Sequence, residues 1–442
     1  MFKPNKNLII NSAENIFAFD LSLEGKILYK LFDPDLSLIE SNNLIEETVL
    51  NYSTTIDQND TIHLVALINT GELHYYSYTD GQWYKNTIAK FNLKSNIYNQ
   101  FETLIINNKL HLLYNYSNLI NSNIWTIQHI VYDSKREEQY NVVRYISKKI
   151  PEPFIVDADN LGNIHILYVN YINNNSQVYH SFYSPYGKMW NPHPKLLSSD
   201  NVNNLYPYLF IDSYNNIHCL WVEDAKYKLN LKMMRMNSSG KEKYKWKEIL
   251  LPNISISKGY PFMFELNNKL NLVFISKDRI LVFQSEDYGN IWTKSDEEYD
   301  LKETTRLVKL RLNPLNYPDK INLAYMDEGN DGEIYLLNNF LNIDEFSLKE
   351  AANISEKTDD SPNSGKPLEA YSEPNEFAPS YIYPHLLEIK EKLDEVLAKQ
   401  LTLNANLEKL IDGQNNTNKK LNMLEALLME KTKSFWSRLF TK

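Results

Sequence analysis

The chain has little of several residue types that define common protein classes. Its 442 residues include one cysteine, Cys219, and 12 glycines. A single cysteine excludes an intrachain disulfide framework, and so little glycine excludes collagen-like and elastomeric chains. No apolar run reaches the roughly 18 residues of a membrane-spanning helix. The basic N-terminus is not followed by an apolar segment, so we expect no secretory signal.

Basic residues are also in the minority, with 46 Lys and Arg against 56 Asp and Glu and a net charge of −10. This balance argues against nucleic acid as a partner, because nucleic-acid-binding domains are usually basic. The 31 Tyr and 18 Phe exclude a wholly disordered chain. We therefore expect a folded cytoplasmic or intracellular protein that needs neither a disulfide nor a cofactor.

A short apolar phrase recurs about every 50 residues, which is the signature of a repeat architecture. Clear copies begin at Ile62, Leu110, Ile164 and Ile217, weaker ones at Leu270 and Ile321, and a degenerate one at Ile16. Each copy lies in a unit of four short apolar segments separated by turn residues, which is typical of a propeller blade. We predict an all-β domain over residues 1–344, a seven-bladed β-propeller, with six or eight blades as alternatives. The N-terminal strand would help to close the ring.

Asparagine fills the turn positions where glycine is scarce. The pairs Asn107–Asn108, Asn215–Asn216 and Asn267–Asn268, and the run 173–175, separate apolar segments. Asn tolerates a positive φ better than other non-glycine residues. We therefore expect these asparagines to form the tight turns.

Four histidines occupy the second position of successive copies, namely His63, His111, His165 and His218. Zinc requires ligand nitrogens about 2 Å from one ion, and equivalent positions in different blades cannot converge in that way. We interpret these histidines as recurrent packing residues and predict no metal site.

The segment from Ser285 to Trp292 reads Ser-Glu-Asp-Tyr-Gly-Asn-Ile-Trp and resembles the Asp-box, or BNR repeat, of sialidase-like propellers. Degenerate variants of this motif span residues 77–83 and 184–190. The resemblance implies a structural turn between the third and fourth strands of a blade. Its defining positions here are Ser285, Asp287, Gly289 and Trp292.

The resemblance also raises the hypothesis that the protein is a glycan-active enzyme. Sialidases of this type use three arginines, a Tyr–Glu pair and an acid, but only Arg306 and Arg311 lie near a predicted innermost strand. The Arg-Ile-Pro signature of the family is absent. A polysaccharide lyase is a further alternative, because Tyr179, His180 or Tyr183 would suit proton abstraction, although packing explains them equally simply. We therefore expect no catalytic residues.

A site in a propeller should surround the axial channel where the innermost strands begin. The predicted candidates there are Tyr98, Glu152, Tyr206, Tyr260 and Arg306. Aromatic groups around a concave opening suit sugar rings or peptide segments. The alternative is that Pro207 and Pro261 set the strand entry while the tyrosines pack the channel.

The repeat pattern ends near residue 344. Residues 345–381 are acidic and contain proline, which predicts a flexible linker. Residues 382–430 carry a 3-4 apolar spacing that predicts a coiled-coil helix and homo-oligomers. The stripe consists of Leu386, Ile389, Leu393, Val396, Leu403, Leu407, Leu410, Leu421, Leu424 and Leu428. Docking of this helix on the propeller is the alternative.

Residues 431–442 combine cationic and apolar groups on one predicted helical face, formed by Phe435, Trp436, Arg438, Leu439 and Phe440. Such a tail suits a peripheral contact with an anionic membrane, a protein groove or a structural end-cap. The favoured hypothesis is a non-catalytic propeller that binds a protein or glycan on an oligomerising stalk. A glycan-active enzyme or a carbohydrate-binding propeller is the alternative.

Overall fold

A computed structural model of the chain describes residues 6–336, apart from 134–135, 226–227, 253–255, 258, 317–318 and 329–333. The predicted linker, coiled coil and tail lie outside the described residues. One short 3₁₀ turn, Leu119–Asn121, is the single helical element in the described part. No described helix is long and apolar enough to cross a membrane.

The strands follow the sequence repeats, each of which contributes four or five. The first three repeats hold β1 (Lys6–Ile10), β2 (Ile16–Leu21), β3 (Ile27–Phe32), β4 (Leu38–Ile45), β5 (Val49–Ile56), β6 (Ile62–Ile68), β7 (Glu72–Thr79), β8 (Gln82–Lys90), β9 (Asn96–Ile106), β10 (Lys109–Asn118), β11 (Ile124–Asp133) and β12 (Arg136–Ile146). The fourth and fifth hold β13 (Ile155–Ala158), β14 (Ile164–Ile172), β15 (Asn175–Ser184), β16 (Met189–Trp190), β17 (Lys195–Leu196), β18 (Asn203–Ile211), β19 (Ile217–Asp224), β20 (Leu229–Met236) and β21 (Trp246–Glu248). The last two hold β22 (Phe262–Leu266), β23 (Lys269–Ser276), β24 (Arg279–Ser285), β25 (Thr293–Asp300), β26 (Thr305–Leu312), β27 (Lys320–Ile321), β28 (Leu323–Glu328) and β29 (Ile334–Leu336).

These strands form an all-β propeller of six sheets, in which neighbouring strands pair antiparallel except for β1 and β26. In the second, third, fifth and sixth repeats, four consecutive strands pair in chain order, as in β5-β6-β7-β8. The first strand of each repeat is the innermost, and the phrase that revealed the repeat lies on the second. The second strands are buried along almost their whole length, as all seven residues of β6 show. Neighbouring sheets cover both of their faces, which explains the unbroken apolar phrases in the sequence.

Within the described residues the ring has six sheets, one of the predicted alternatives, rather than the favoured seven, because the first and seventh repeats share one sheet. Its order is β29-β28-β26-β1-β2-β3-β4. Strands β1 and β26 pair in parallel, with Asn7 opposite Lys309 and Ile10 opposite Leu312. The N-terminal strand thus closes the ring by hydrogen bonding to the innermost strand of the last repeat, and seven repeats occupy six sheets.

Asparagine occupies the tight turns as predicted. Asn107, Asn108, Asn215, Asn267 and Asn268 all have positive φ values, between 51° and 62°. The pair at 173–174 does the same. These are conformations that cost glycine nothing and asparagine little, so the low glycine content is compatible with this many hairpins.

An aspartate supports the turn that precedes three of the four repeated histidines. In the fifth repeat, Asp212 accepts the backbone N–H groups of Tyr214 at 3.0 Å and Asn216 at 2.8 Å. The same carboxylate lies 2.9 Å from Nε2 of His218. Asp57 with His63, at 3.3 Å, and Asp159 with His165, at 3.8 Å, repeat this arrangement.

Three of the repeated histidines, His63, His165 and His218, therefore lie against the aspartate of the hairpin that precedes them. No group of three potential ligands that could hold an ion occurs in the described part of the chain. The histidine of the third repeat, His111, differs from the others, since its turn is the two-residue Asn107–Asn108 hairpin without an aspartate. Its Nδ1 lies 3.0 Å from Nε2 of His129 on the neighbouring strand.

The Asp-box segment forms a compact turn between β24 and β25, the third and fourth strands of the sixth repeat. Asp287 Oδ1 accepts hydrogen bonds from the N–H groups of Asn290, at 3.0 Å, and Ile291, at 2.9 Å. Ser285 Oγ accepts the N–H of Gly289 at 2.8 Å. Gly289 has a φ of 89° and a Cβ there would lie 2.8 Å from the ring of His218, so glycine is required on two grounds.

Tryptophans near the fourth strands pack on the preceding repeat. Trp83 meets the rings of Phe19 and Tyr29 at 6.0 and 5.7 Å. Trp190 donates its indole N–H to His129 Nδ1 at 3.2 Å. These contacts hold the outer edges of neighbouring sheets together.

Replacing Asp287 with alanine should lower the free energy of unfolding by about 1 kcal/mol, because the N–H groups of Asn290 and Ile291, which lie in an exposed turn, lose their acceptor. The matched control is Glu286→Ala, which removes only an exposed carboxylate that pairs with Lys269 and should change stability by less than about 0.5 kcal/mol. Urea denaturation of both variants measures the difference. Equal effects would show that the turn network contributes nothing specific.

Candidate functional site

A cavity of about 380 Å³ lies where the innermost strands converge. Every repeat contributes to its wall, and the polar and aromatic wall residues are Asn7, Asn51, Tyr52, Asn99, Gln100, Phe101, Glu102, Tyr208, Tyr260, Lys309, Arg311 and Asn322. The side chains alternate along each strand, so residues two apart, such as Gln100 and Glu102, face the axis together. The volume lies within the usual range of small-molecule sites, about 300–1,000 Å³.

Gln100 and Glu102 are the centre of a hydrogen-bond network in this wall. The Gln100 side-chain amide donates to Glu102 Oε1 at 2.7 Å and to the Phe154 carbonyl at 2.7 Å, and its oxygen accepts the Phe154 N–H at 3.1 Å. Lys309, on β26, completes the network by an ion pair with Glu102. This pair joins the third repeat to the seventh, so it crosses the ring.

A second ion pair crosses the ring nearer the carboxyl ends of the innermost strands. Lys320 Nζ lies 2.7 Å from Asp157 Oδ1 and donates to the carbonyls of Ile211 at 2.8 Å and Ala158 at 3.4 Å. Three acceptors surround the ammonium group, and the ring of Phe210 lies 5.5 Å from it. Lys320 is fully engaged in joining strands and is therefore a structural cation.

Arg311 is a cation of a different kind. It lies in the cavity wall, and its guanidinium donates to Asn322 Oδ1 at 2.6 Å. Among the described residues, the structure records no carboxylate paired with it. Its positive charge lowers the pKa of the neighbouring Tyr208, although burial raises that pKa by more, so Tyr208 stays protonated. The guanidinium of Arg311 thus presents hydrogen-bond donors to the cavity, and no acidic residue of the described wall neutralises its charge.

Three of the five predicted site residues, Glu152, Tyr206 and Tyr260, come together, and of these Tyr260 alone is in the cavity wall. Its hydroxyl donates to Glu152 at 3.4 Å. The ring of Tyr206 lies 4.9 Å from that of Tyr260 in an edge-to-face arrangement. Burial, followed by the charge of Glu152, raises the pKa of Tyr260 far above its ordinary value. Tyr260 therefore stays protonated at neutral pH and serves as a hydrogen-bond donor.

Tyr206 has an unusual backbone conformation, with a φ of 54° at a bulge in β18. A bulky residue in this region costs of the order of 1–3 kcal/mol and persists only where its surroundings fix it. Here the following Pro207 and the packing against Tyr260 fix it. The strain positions two aromatic rings beside the cavity.

The other two predicted residues lie elsewhere. Tyr98 packs into an aromatic cluster with Phe91, at 4.7 Å, and Tyr116, at 5.8 Å, and is not part of the cavity wall. Arg306 is exposed and donates to the carbonyls of Glu303 and Thr305. It is on the innermost strand β26, as predicted, but Lys309 and Arg311 take the axial positions.

The candidates for a proton-abstracting group also lie outside the cavity wall. His180 is buried and its Nε2 lies 3.1 Å from Nδ1 of His165, and Tyr179 packs on Tyr168 at 5.7 Å. Tyr183 contacts His129, whose ring is 5.0 Å away. All three pack between strands.

Sequence reasoning missed Gln100, Glu102, Lys309 and the wall asparagines. A signal was present, because Gln100 and Glu102, and likewise Lys309 and Arg311, are polar pairs two residues apart within apolar strands. Polar residues at that spacing on an innermost strand face the axis.

Comparisons with known proteins show no family for this chain. No family model matches the chain, and no curated protein matches it. The six-bladed propeller lectin of Aleuria aurantia, described with a fucose recognition mode, is 14% identical, with 66% of this chain and 96% of the lectin covered and a TM-score of 0.38. An α-L-arabinanase of Penicillium chrysogenum is 11% identical (63% and 93% covered, TM-score 0.41).

The polysaccharide lyase Uly1 is 12% identical, with 73% of this chain and 87% of the lyase covered and a TM-score of 0.45. Likenesses at these levels do not transfer a ligand, an activity or a catalytic residue. The sialidase-like resemblance of the Asp-box segment likewise remains a prediction, since no family model matches.

Replacing Lys309 with methionine should destabilise the propeller by about 2–4 kcal/mol, because the buried Glu102 loses its counter-charge. The matched control is Lys85→Met, which breaks the half-exposed pair with Glu47 and should cost less than about 1 kcal/mol. Thermal unfolding of Lys309→Met, Glu102→Leu and the Glu102→Leu/Lys309→Met double variant gives the coupling energy, and Lys85→Met is measured beside them. A coupling near zero contradicts the transaxial role of the pair.

Proposed function

We propose that the axial cavity is a ligand-binding site and that its ligand is a saccharide. The observation that carries this proposal is the composition of the wall. The aromatic residues Tyr208 and Tyr260 line the wall together with the amides of Asn51, Asn99 and Asn322. Aromatic faces match the C–H surfaces of sugar rings, while amides can both donate to and accept from sugar hydroxyls.

Binding is better supported than catalysis. A glycosidase needs two carboxyl groups beside the scissile bond, whereas Glu102 is the one carboxylate of the described wall and it is paired with Lys309. A lyase needs a base, and the raised pKa of Tyr260 makes it a poor one at neutral pH. A non-catalytic, carbohydrate-binding propeller is therefore the favoured function, and a glycan-active enzyme is the alternative.

A blocking substitution at the cavity tests this function. Leu50 lines the cavity and is 47% exposed, so Leu50→Trp should fill the opening without disturbing the core. The matched control is Leu161→Trp, at a turn residue that is 61% exposed and outside the cavity wall. We expect glycan-array screening of the full chain to identify a saccharide, and calorimetry to show at least about tenfold weaker binding to the Leu50 variant, equivalent to about 1.4 kcal/mol.

Two outcomes contradict the proposal. If the array and calorimetry detect no saccharide, or if Leu50→Trp binds as well as the wild type, the cavity is not the site. Release of shorter products from a bound glycan, followed by chromatography, would instead favour the enzyme alternative.

We also propose that the chain displays this propeller on an oligomerising stalk, with a tail that contacts a membrane or partner. This proposal rests on the heptad spacing of residues 382–430 and the apolar face at 435–440. Deleting residues 382–442 should convert an oligomer into a monomer of the truncated chain. Light scattering coupled to size exclusion measures the mass. An unchanged subunit number would show that the heptads do not associate.

A further inference from the structure

The junction between the third and fourth repeats contains a chain of three hydrogen-bonding rings. Trp190 Nε1 lies 3.2 Å from Nδ1 of His129, and Nε2 of His129 lies 3.0 Å from Nδ1 of His111. All three side chains are buried, and His129 is 0% exposed. Trp190 belongs to the fourth repeat and the two histidines to the third, so the chain joins two sheets.

The indole fixes the direction of every bond in this chain. Trp Nε1–H can only donate, so Nδ1 of His129 must be an acceptor and carry no proton. The neutral His129 then carries its proton on Nε2 and donates it to Nδ1 of His111. The two accepting nitrogens are Nδ1 of His129 and Nδ1 of His111. A proton added to either of them would place two N–H groups against each other.

The fourth repeat holds a similar buried pair, His165 with His180 at 3.1 Å, but the repeats differ in what faces the first histidine. His63, His165 and His218 each face an aspartate through Nε2, at 3.3, 3.8 and 2.9 Å. A carboxylate there stabilises the charged form of the imidazole. His111 follows a two-residue turn that has no aspartate, so its charged form has no such support.

The groups packed around the three rings do not stabilise a charged histidine either. Tyr140 on β12 and Tyr183 on β15 pack on His129, at 5.5 and 5.0 Å between ring centres. The charged groups on these elements are engaged: Lys109 pairs with Asp133, Glu138 pairs with Lys188, and Glu137 accepts from Gln139. Burial lowers the pKa of His111 to about 4, with Lys109 contributing, and lowers that of His129 well below its ordinary value.

We propose that the Trp190–His129–His111 chain is an acid-sensitive clasp: uptake of a proton by either histidine breaks it and frees the 184–190 turn, while the rest of the ring stays folded. The proton adds to an inner ring nitrogen, and the hydrogen bond that this nitrogen accepted is lost. Trp190 then loses its polar partner and the turn can leave the preceding sheet.

The sign and size of the effect follow from proton linkage. The histidines bind protons more weakly in the closed junction than in the open one, whose ordinary pKa is about 6.5. The closed form is therefore fully favoured above about pH 6.5. Well below it, the equilibrium constant for opening rises by about tenfold per pH unit for each proton bound. The rise ends when the pH reaches the pKa of the histidine in the closed form.

Hydrogen exchange measured by mass spectrometry on the full chain tests the clasp. After correction for the intrinsic rate, exchange of the peptide spanning 184–191 should rise at least about fivefold between pH 6.5 and 5.5, because the open form is already half protonated at pH 6.5. The internal reference is the 79–83 turn, where Trp83 packs on Phe19 and Tyr29, rings that do not titrate in this range. Its exchange should change less than about twofold by the same relation.

The His111→Phe/His129→Phe variant retains ring packing without a titrating group, so its 184–191 peptide should lose the pH dependence. The control is His193→Gln, at an exposed histidine, which should behave as the wild type. Equal pH dependence in the double variant and the wild type overturns the proposal.

If the double variant does not fold, a carbon-13 histidine titration of the wild type decides. His111 and His129 should both remain neutral at pH 5.5 in the closed state. Titration of either of them near pH 6.5 overturns the proposal.

Discussion

Parallel pairing between the first and last innermost strands is the interaction on which this ring depends. β1 and β26 pair from Asn7 to Ile10, and the N–H of Asn313 extends the contact by bonding to the Ile10 carbonyl at 3.0 Å. These bonds join segments about 300 residues apart in the chain, so the entropy of closing a long loop opposes them. The ring closes because many neighbouring sheets have already placed the two strands side by side.

Closure also creates the cavity. Lys309 and Arg311 lie on β26. The closed ring brings Lys309 to Glu102 on β9, whereas Arg311 meets Asn322 within its own repeat. The two cations then have different roles, because one is neutralised by a carboxylate and the other by an amide oxygen that leaves its charge in place. A ligand of the proposed site would meet Arg311 as a hydrogen-bond donor whose charge no described carboxylate neutralises.

The repeat length, the strand content and the turns could be predicted from the sequence because they depend on local chemistry. Asn107–Asn108 and the Asp287 segment specify their own hairpins, whatever sheets surround them. The number of sheets could not be predicted in this way. It depends on β1 bonding to β26 rather than on any pattern within either strand, and six sheets resulted where seven blades were expected. Tyr260 and Glu152 were found because they precede strands at a recurring position.

Other site residues escaped prediction for a related reason. Glu102 and Lys309 acquire their meaning only as a pair, and their separation of 207 positions is visible in the folded ring alone. The same holds for His129, an ordinary strand residue in sequence that the Trp190 indole locks into one tautomer. A propeller repeats its hairpins by local rules but joins its repeats by contacts that differ at each junction. The junctions and the axis are therefore where repeats of similar sequence become chemically distinct, and both the cavity and the histidine clasp lie there.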